Sequence, residues 1–241
     1  LRVAIAGGAA LPADVSDFFA DIGIPLLEGY GMTECTTVIA VNRPGSNRAG
    51  TVGPPVPGCE VRIAPDGEIL VRGPHVFRGY HDNEDATRAI LTEDGWLRTG
   101  DLGRLDRDGH VTIVDRKKDI IVTPGGKNVA PQRIEAMLRE SPLVAQALVI
   151  GGTHPHIGAL IDVDRAHLAG AAGDDDPRGR VAPVVAEVNR RLGTDERVRR
   201  FAVTPRPFDP ERGEVTPTLK LRRRVCEEHF ADLIAEMYGE D

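Results

Sequence analysis

Four short clusters in this 241-residue chain set polar side chains beside glycines. Glycine lets a backbone come close to a ligand or take a tight turn. The first cluster is Tyr30-Gly31-Met32-Thr33-Glu34. A hydroxyl beside a carboxylate can hold a phosphate oxygen and a Mg²⁺ ion together, since Mg²⁺ favours one or two carboxylates plus phosphate oxygens. The same residues also suit an ordinary turn with Thr33 as a helix cap. The second cluster is Trp96-Leu97-Arg98-Thr99-Gly100-Asp101. An Asp held by a glycine turn can accept from both hydroxyls of a ribose, because a carboxylate offers about four lone-pair sites. The bland alternative is a hairpin turn with a solvated Asp. The third is Asp115-Arg116-Lys117-Lys118-Asp119, followed by Gly125-Gly126-Lys127. It reads either as a solvated linker or as a hinge whose Arg also reaches a nucleotide. The fourth runs from Gly213 to Lys220 and ends in Thr216-Pro217-Thr218-Leu219-Lys220. A lone Lys of this kind is a surface residue, or the tip of a mobile domain that carries positive charge to a developing phosphate transition state.

The elements that must hold these clusters follow from periodicity and turn chemistry. Residues 2–31 read as strand, helix, strand. The apolar run 3–6 stops at Gly7-Gly8, Pro12 suits the first turn of a helix, and Val15, Phe18, Phe19 and Ile22 share its apolar face. Residues 24–27 form the second strand. One such unit cannot cover both faces of its strands, so this is a piece of a larger parallel sheet, whose loops at the carboxyl ends are where ligands bind. Over residues 48–116, short β runs at 60–63, 68–72 and 110–114 alternate with Gly and Pro turns, which predicts a small antiparallel sheet or barrel with one helix at 84–91. From 117 onward the pattern predicts a compact α+β domain. It has helices at 131–140 and 181–192, strands at 144–150, 157–163 and 201–204, an exposed acidic loop at 173–177, and one closing helix at 222–238. The fold class is mixed α+β, with domains at 1–116 (an αβ piece at 1–47 and a β-rich subdomain at 48–116) and 117–241.

Composition excludes several classes. There are 30 Lys+Arg against 37 Asp+Glu, a net charge of −7, which argues against a nucleic-acid partner held by phosphate contacts. No run of about 18 apolar residues is present to span a bilayer, and no basic-then-apolar leader opens the chain. Cys35, Cys59 and Cys226 are far apart and form no metal spacing, so they read as reduced thiols of a cytoplasmic protein. The chain opens at Leu1 in a strand-like run and reads as a piece of something longer. His154 and His156 read as a surface pair, and Trp96 and Phe77 as packing residues. Arg222-Arg223-Arg224 reads as an exposed face of the last helix, where it is a candidate contact for anionic lipid or a CoA phosphate.

In their order along the chain these segments resemble the adenylate-forming superfamily, in particular the C-terminal part of a long-chain fatty acyl-CoA synthetase (ligase). Ala6-Gly7-Gly8-Ala9 is similar to its adenine-binding loop, Tyr30 to Glu34 to its YGxTE segment, and the stretch from Gly67-Glu68 to Gly79-Tyr80 to the motif that follows. Arg98-Thr99-Gly100-Asp101 is similar to the RTGD segment, and Gly103 to Asp119 to the inter-domain motif. Gly126 to Pro131 and Thr216 to Arg223 look like the long-chain forms of the last two motifs. The resemblance implies activation of a fatty acid with MgATP to acyl-AMP and pyrophosphate, then transfer to CoA with release of AMP. It implies that Gly7, Gly8, Ala9, Tyr30 and Gly31 hold the adenine, with Tyr30 stacked on it. Thr33 takes phosphate, Glu34 the Mg²⁺, and Asp101 and Arg116 the ribose hydroxyls. Lys118 is the hinge of a mobile C-terminal lid. Gly125 or Gly126 lines the CoA channel, and Lys220 bridges the acyl carboxylate and the α-phosphate. The family's phosphate loop and most of its acyl pocket lie upstream, so the chain by itself is expected to make no acyl-CoA without the remainder of the protein. Two alternatives stay open: an adenylation domain that loads a carrier protein, and a stand-alone nucleotide-binding or interaction module.

Overall fold

The apolar run that stops at Gly7 forms β1 (Ala4–Gly7), and α1 (Ala13–Asp21) leads to β2 (Leu26–Tyr30). β1 and β2 are parallel, with Gly7 opposite Gly29. β3 (Ala40–Val41) adds to β2 antiparallel and completes the order β1-β2-β3. The computed structural model describes residues 1–9, 11, 13–169, 176–216 and 220–239. Pro12, residues 173–175 of the acidic loop and residues 217–219 of the last cluster lie outside them. β2 runs later than the expected 24–27. Pro25 has no N–H for a ladder and gives only its carbonyl, to the Ala4 N–H at 3.0 Å. The apolar side chains of Ile5, Phe18 and Ile22 are 69%, 59% and 53% exposed.

An open antiparallel sheet follows, not a barrel: β4 (Glu60–Ile63), β5 (Glu68–Arg72), β6 (Leu97–Leu105) and β7 (Val111–Arg116) in the order β4-β5-β6-β7. Between β5 and β6, α2 (Glu84–Ile90) starts where the Asn83 side chain accepts the Ala86 N–H at 3.0 Å, the use for which Asn is favoured at a helix start. Ile39, Ile69, Val71, Leu97 and Val111 are fully buried and form the core of this part. Trp96 packs as expected, with the Arg62 and Arg72 guanidinium groups 4.2 and 4.6 Å from its ring centre.

The chain divides into two compact units, Leu1–Lys118 and Asp119–Asp241. The second starts with a hairpin of β8 (Ile121–Val122) and β9 (Asn128–Val129), and α3 (Pro131–Leu138) opens on a proline at its first turn. β10 (Val144–Ile150) and β11 (Gly158–Val163) are antiparallel. After α4 (Arg165–Ala169) and α5 (Pro177–Arg190), β12 (Arg200–Val203) joins β11 in parallel. α5 starts four residues earlier than the pattern predicts because Asp176 caps it through the Arg178 N–H at 3.0 Å. Every residue of β11 is buried. Ile134, Leu138, Val181 and Val185 pack with Ala159 and Ile161 in one core. Leu148, Ile150 and Leu160 pack with Phe208, Cys226 and Phe230 in another. The sheet is thus covered on both sides, which is why its central strand is apolar from Ala159 to Ile161 on both faces.

Three expectations need correction here. The closing helix is two helices, α6 (Arg223–His229) and α7 (Ala231–Tyr238), broken at Phe230 with φ −111° and ψ 23°. Phe230 is buried edge-on against Phe208, with ring centres 5.5 Å apart, and no local signal foretells that packing. The three arginines do not share an exposed face: Arg224 is exposed, whereas Arg223 turns inward to pair with Glu135 and donates to the Val149 carbonyl at 3.0 Å. His154 and His156 are half-buried rather than a surface pair. His154 stacks on Tyr238 at 4.1 Å, and the Tyr238 hydroxyl donates to the His156 carbonyl at 2.9 Å.

Candidate functional site

Gly7, Gly8 and Ala9 leave the carboxyl end of β1 beside the end of β2 and are all exposed. Gly8 has φ +87°, a conformation that favours glycine. The Glu28 carboxylate accepts the Leu11 N–H at 3.1 Å and ties this loop back to β2; burial holds that carboxyl above the usual range. Tyr30 is the last residue of β2, so both loops leave the same end of a parallel pair.

The chain turns sharply after Tyr30. A Cβ on Gly31 would fall 1.4 Å from the Thr37 carbonyl oxygen, so no side chain fits there. A 3-10 turn over Thr33–Cys35 follows, with the Cys35 N–H on the Met32 carbonyl at 3.0 Å and the Thr37 N–H on the same carbonyl at 3.2 Å. Thr36 and Thr37 have φ 48° and 88°, backbone strain that the surrounding contacts must hold. Thr33 is not a helix cap: it lies inside the turn and is exposed. Glu34 is half-buried, and its Oε1 accepts the Tyr80 hydroxyl at 2.7 Å. That bond, with burial behind it, raises the Tyr80 phenol above its usual range.

Asp101 is 4% exposed and stands at the centre of a three-strand cluster. Its Oδ2 accepts the Tyr30 hydroxyl at 2.5 Å, and its Oδ1 pairs with Arg116 Nε at 2.8 Å. Asp101 and Arg116 are register partners of β6 and β7. Burial first, and then the Asp101 charge, hold the Tyr30 phenol far above its usual range, so it stays a donor. Asp101 is aimed by an irregularity in β6: while β5 steps from Leu70 to Glu68, β6 advances from Arg98 to Leu102. Gly100 takes the needed φ of +71°. Thr99 Oγ1 donates to the Ile69 carbonyl at 2.8 Å and accepts the Asp101 N–H at 3.1 Å. Glu68 Oε1 accepts the Gly100 N–H at 3.0 Å. The expected turn at 96–101 is therefore a bulged strand, and Asp101 is buried and paired rather than solvated.

Beyond Arg116 the chain enters a 3-10 turn over Lys117–Asp119. Lys117 Nζ reaches Asp66 Oδ2 at 2.7 Å and Glu68 Oε2 at 2.9 Å, and these bonds raise its ammonium above the usual range. Lys118 is exposed. The structure thus brings Tyr30, Asp101 and Arg116 together, and separately Glu34 with Tyr80. Sequence reasoning gave no role to Glu68, Thr99, Lys117 or Tyr80. Their only signal was a polar residue inside a matched segment with no task assigned to it.

In the second unit, Gly125 and Gly126 form the exposed tip of the β8–β9 hairpin. The Gly126 N–H bonds the Thr123 carbonyl at 2.8 Å, and the Thr123 N–H the Lys127 carbonyl at 2.9 Å. Gly126 has φ +74°, which explains its glycine; a Cβ at Gly125 would meet only Thr123 Oγ1, at 3.9 Å. Lys220 is exposed beside a bridge between Val215 and Leu221. Its N–H donates to Thr216 Oγ1 at 3.0 Å.

The donor set fits a Mg²⁺ ion delivered with a polyphosphate rather than a protein cage: one carboxylate with an oxygen not taken by Tyr80, next to an exposed hydroxyl. Among the described residues no group of three or more His, Cys, Asp or Glu could hold a metal, and no helix is long and apolar enough to cross a membrane.

Comparison with known proteins agrees across sequence and structure. Residues 1–81 match the family model of the AMP-binding enzyme, and residues 118–241 that of the AMP-binding enzyme C-terminal domain. Over its whole length the chain is 44% identical to the long-chain-fatty-acid–CoA ligase FadD15 of Mycobacterium bovis and spans 42% of it. Over 97% of its length it is 37% identical to the peroxisomal long chain acyl-CoA synthetase 7 of Arabidopsis thaliana, of which it spans 38%. Among solved structures, the O-succinylbenzoate CoA synthetase MenE of Bacillus subtilis, in complex with AMP, is 28% identical with a TM-score of 0.74; the match covers 93% of this chain and 45% of that one. The adenylation domain of a carboxylate reductase from Mycobacterium chelonae is 25% identical with a TM-score of 0.83, covering 98% and 38% respectively.

Proposed function

The chain belongs to the AMP-binding enzymes, and we propose that the protein containing it ligates a long-chain fatty acid to CoA through an acyl-AMP. The observation that carries this reading is the Tyr30–Asp101–Arg116 cluster at the carboxyl end of the parallel strands. In the first step a fatty-acid carboxylate oxygen attacks the α-phosphorus of ATP, the bond to the β-phosphate bridging oxygen breaks, and pyrophosphate leaves. In the second, the CoA thiol sulfur attacks the acyl carbonyl carbon and AMP leaves. Such chemistry depends on alignment and charge stabilisation.

Gly7, Gly8 and Ala9 shape the adenine site, and Tyr30 stacks on the base with its ring fixed through the hydroxyl bond to Asp101. Each Asp101 oxygen has one partner and about one lone pair to spare, so the carboxylate can also accept ribose hydroxyls. The Nη donors of Arg116 serve the same sugar. Thr33 donates to a phosphate oxygen. Glu34 offers its second oxygen to Mg²⁺, which when bound supplies positive charge against the polyphosphate. Lys220 brings an ammonium to the α-phosphate and the acyl carboxylate, Lys118 is the hinge, and Gly125 lines the CoA channel. The preference for Gly125 over Gly126 rests on the fold: only Gly126 needs glycine for its backbone. The three cysteines are free, which suits a reducing, cytoplasmic setting, and burial pushes the Cys35 thiol up to about 12, which makes it a poor nucleophile.

The chain spans less than half of the relatives named above, so we assign activity to the longer protein and expect none from these 241 residues in isolation. The test is fatty-acid-dependent ATP–pyrophosphate exchange and CoA-dependent release of AMP by the full-length protein. Both are expected. Exchange with no CoA-dependent turnover would move the acceptor to a carrier-protein thiol, and absence of exchange with every long-chain acid would overturn the reading.

A further inference from the structure

Two residues before Thr216, the second unit buries a carboxylate completely: Glu214 is 0% exposed. Its Oε1 accepts from Arg206 Nη2 at 2.6 Å and meets His229 Nδ1 at 2.8 Å. Its Oε2 accepts from Arg206 Nη1 at 2.8 Å and from the Asp209 N–H at 2.8 Å. The Glu214 carbonyl accepts the Arg222 N–H at 2.8 Å and the Cys226 thiol at 3.4 Å, and its N–H donates to the Asp209 carbonyl at 3.1 Å. Arg206 is itself seated over the Phe230 ring, 4.7 Å from its centre.

The next residue, Val215, bridges Leu221, and the Thr216 N–H donates to the Lys220 carbonyl at 2.8 Å. Both strands of this short stem are therefore rooted on one residue. Glu214 precedes Val215 on the way in, and its carbonyl holds Arg222, just after Leu221, on the way out. A buried ion cluster is weak support for stability, since apolar residues of similar volume commonly do as well or better. What such a cluster does offer is one geometry. Lys220 carries a compact charge on a flexible four-carbon stem, so its reach is defined only if its backbone is.

We propose that Glu214 is a positioning residue for Lys220: by clamping Arg206 and His229 it fixes the stem from which the Lys220 ammonium is presented during acyl-AMP formation. This rests on the role given to Lys220 above. Because Lys220 serves the first step alone, loss of the clamp should damage the two half-reactions unequally, which loss of folding would not do.

The experiment uses the full-length protein with Glu214→Gln and Lys220→Ala, measuring ATP–pyrophosphate exchange and, separately, conversion of supplied acyl-AMP and CoA to acyl-CoA. Glu214→Gln is expected to lower kcat of exchange by roughly 10- to 100-fold, the scale of a misplaced catalytic group. KM for ATP and the thiol-transfer step should stay near those of the parent protein. His229→Gln, which removes one arm at the rim of the cluster, should show the same pattern more weakly and serves if Glu214→Gln does not fold. Equal losses in both half-reactions, or unchanged exchange, would overturn the proposal. Exchange that survives Lys220→Ala would instead remove the role of Lys220 on which it rests.

Discussion

The Asp101 carboxylate joins β2, β6 and β7 through its two partners, and each of its neighbours has a separable task. Tyr30 and Arg116 take one oxygen each, while Thr99 holds the backbone that aims the side chain. Asp101→Asn keeps the shape but removes the charge and puts an amide donor where an acceptor is needed. We expect exchange by the full-length protein to fall by about 10²–10³, with little change in the transfer of supplied acyl-AMP to CoA beyond that due to weaker AMP binding. At the hairpin tip the prediction is reversed. Gly125→Ala meets nothing closer than 3.9 Å within the chain, so folding and exchange should be unchanged while KM for CoA rises. A KM for CoA that rises in Gly126→Ala and not in Gly125→Ala would exchange their roles; Ala at a φ of +74° costs about 1 kcal/mol in any case.

Elements carry the next layer. The turn that presents Thr33 and Glu34 depends on the absence of a side chain at Gly31, since even a methyl group there collides with the Thr37 carbonyl at 1.4 Å. Gly31→Ala should therefore abolish exchange, as Glu34→Ala is expected to, while circular dichroism of the full-length protein should show its secondary structure retained. In the second unit the Glu214 cluster gives a pH signature. Hydrogen bonds from Arg206 hold this carboxyl at about 2, against an ordinary value of 4.5. Its contribution to folding is complete above the ordinary value and is lost as pH falls from about 4.5 to about 2. Denaturation across that window should show parent and Glu214→Gln converging toward low pH. The helices α2 and α3 are legible in sequence because their start signals, Asn83 and Pro131, are local. β6 is not, because Thr99-Gly100 breaks the alternation that marks a strand and the bulge is held from β5 by Ile69 and Glu68. The break at Phe230 is hidden for the same kind of reason. Tyr30, Asp101 and Arg116 were legible as members of motifs. Their contacts were not, since Tyr30 and Asp101 are 71 positions apart and only the fold joins them.

At the scale of the molecule, the chain comes as two compact units divided between Lys118 and Asp119. Lys117 is tethered to Asp66 and Glu68 within the first unit, an anchor against which the proposed hinge at Lys118 would turn. Limited proteolysis of the full-length protein should cut after Lys117 or Lys118 at a rate that a stable acyl-AMP analogue changes; equal rates with and without it would remove the hinge. The first sheet has a different consequence. β1 is an edge strand of its sheet with Ile5 outward, and Phe18 and Ile22 of α1 add two more uncovered apolar groups. Edge strands with exposed apolar side chains template pairing between chains. Produced by itself, this polypeptide is therefore expected to stick to itself as concentration rises, which light scattering would measure, and charge-bearing replacements at Phe18 and Ile22 should relieve it without touching Tyr30, Asp101 or Arg116.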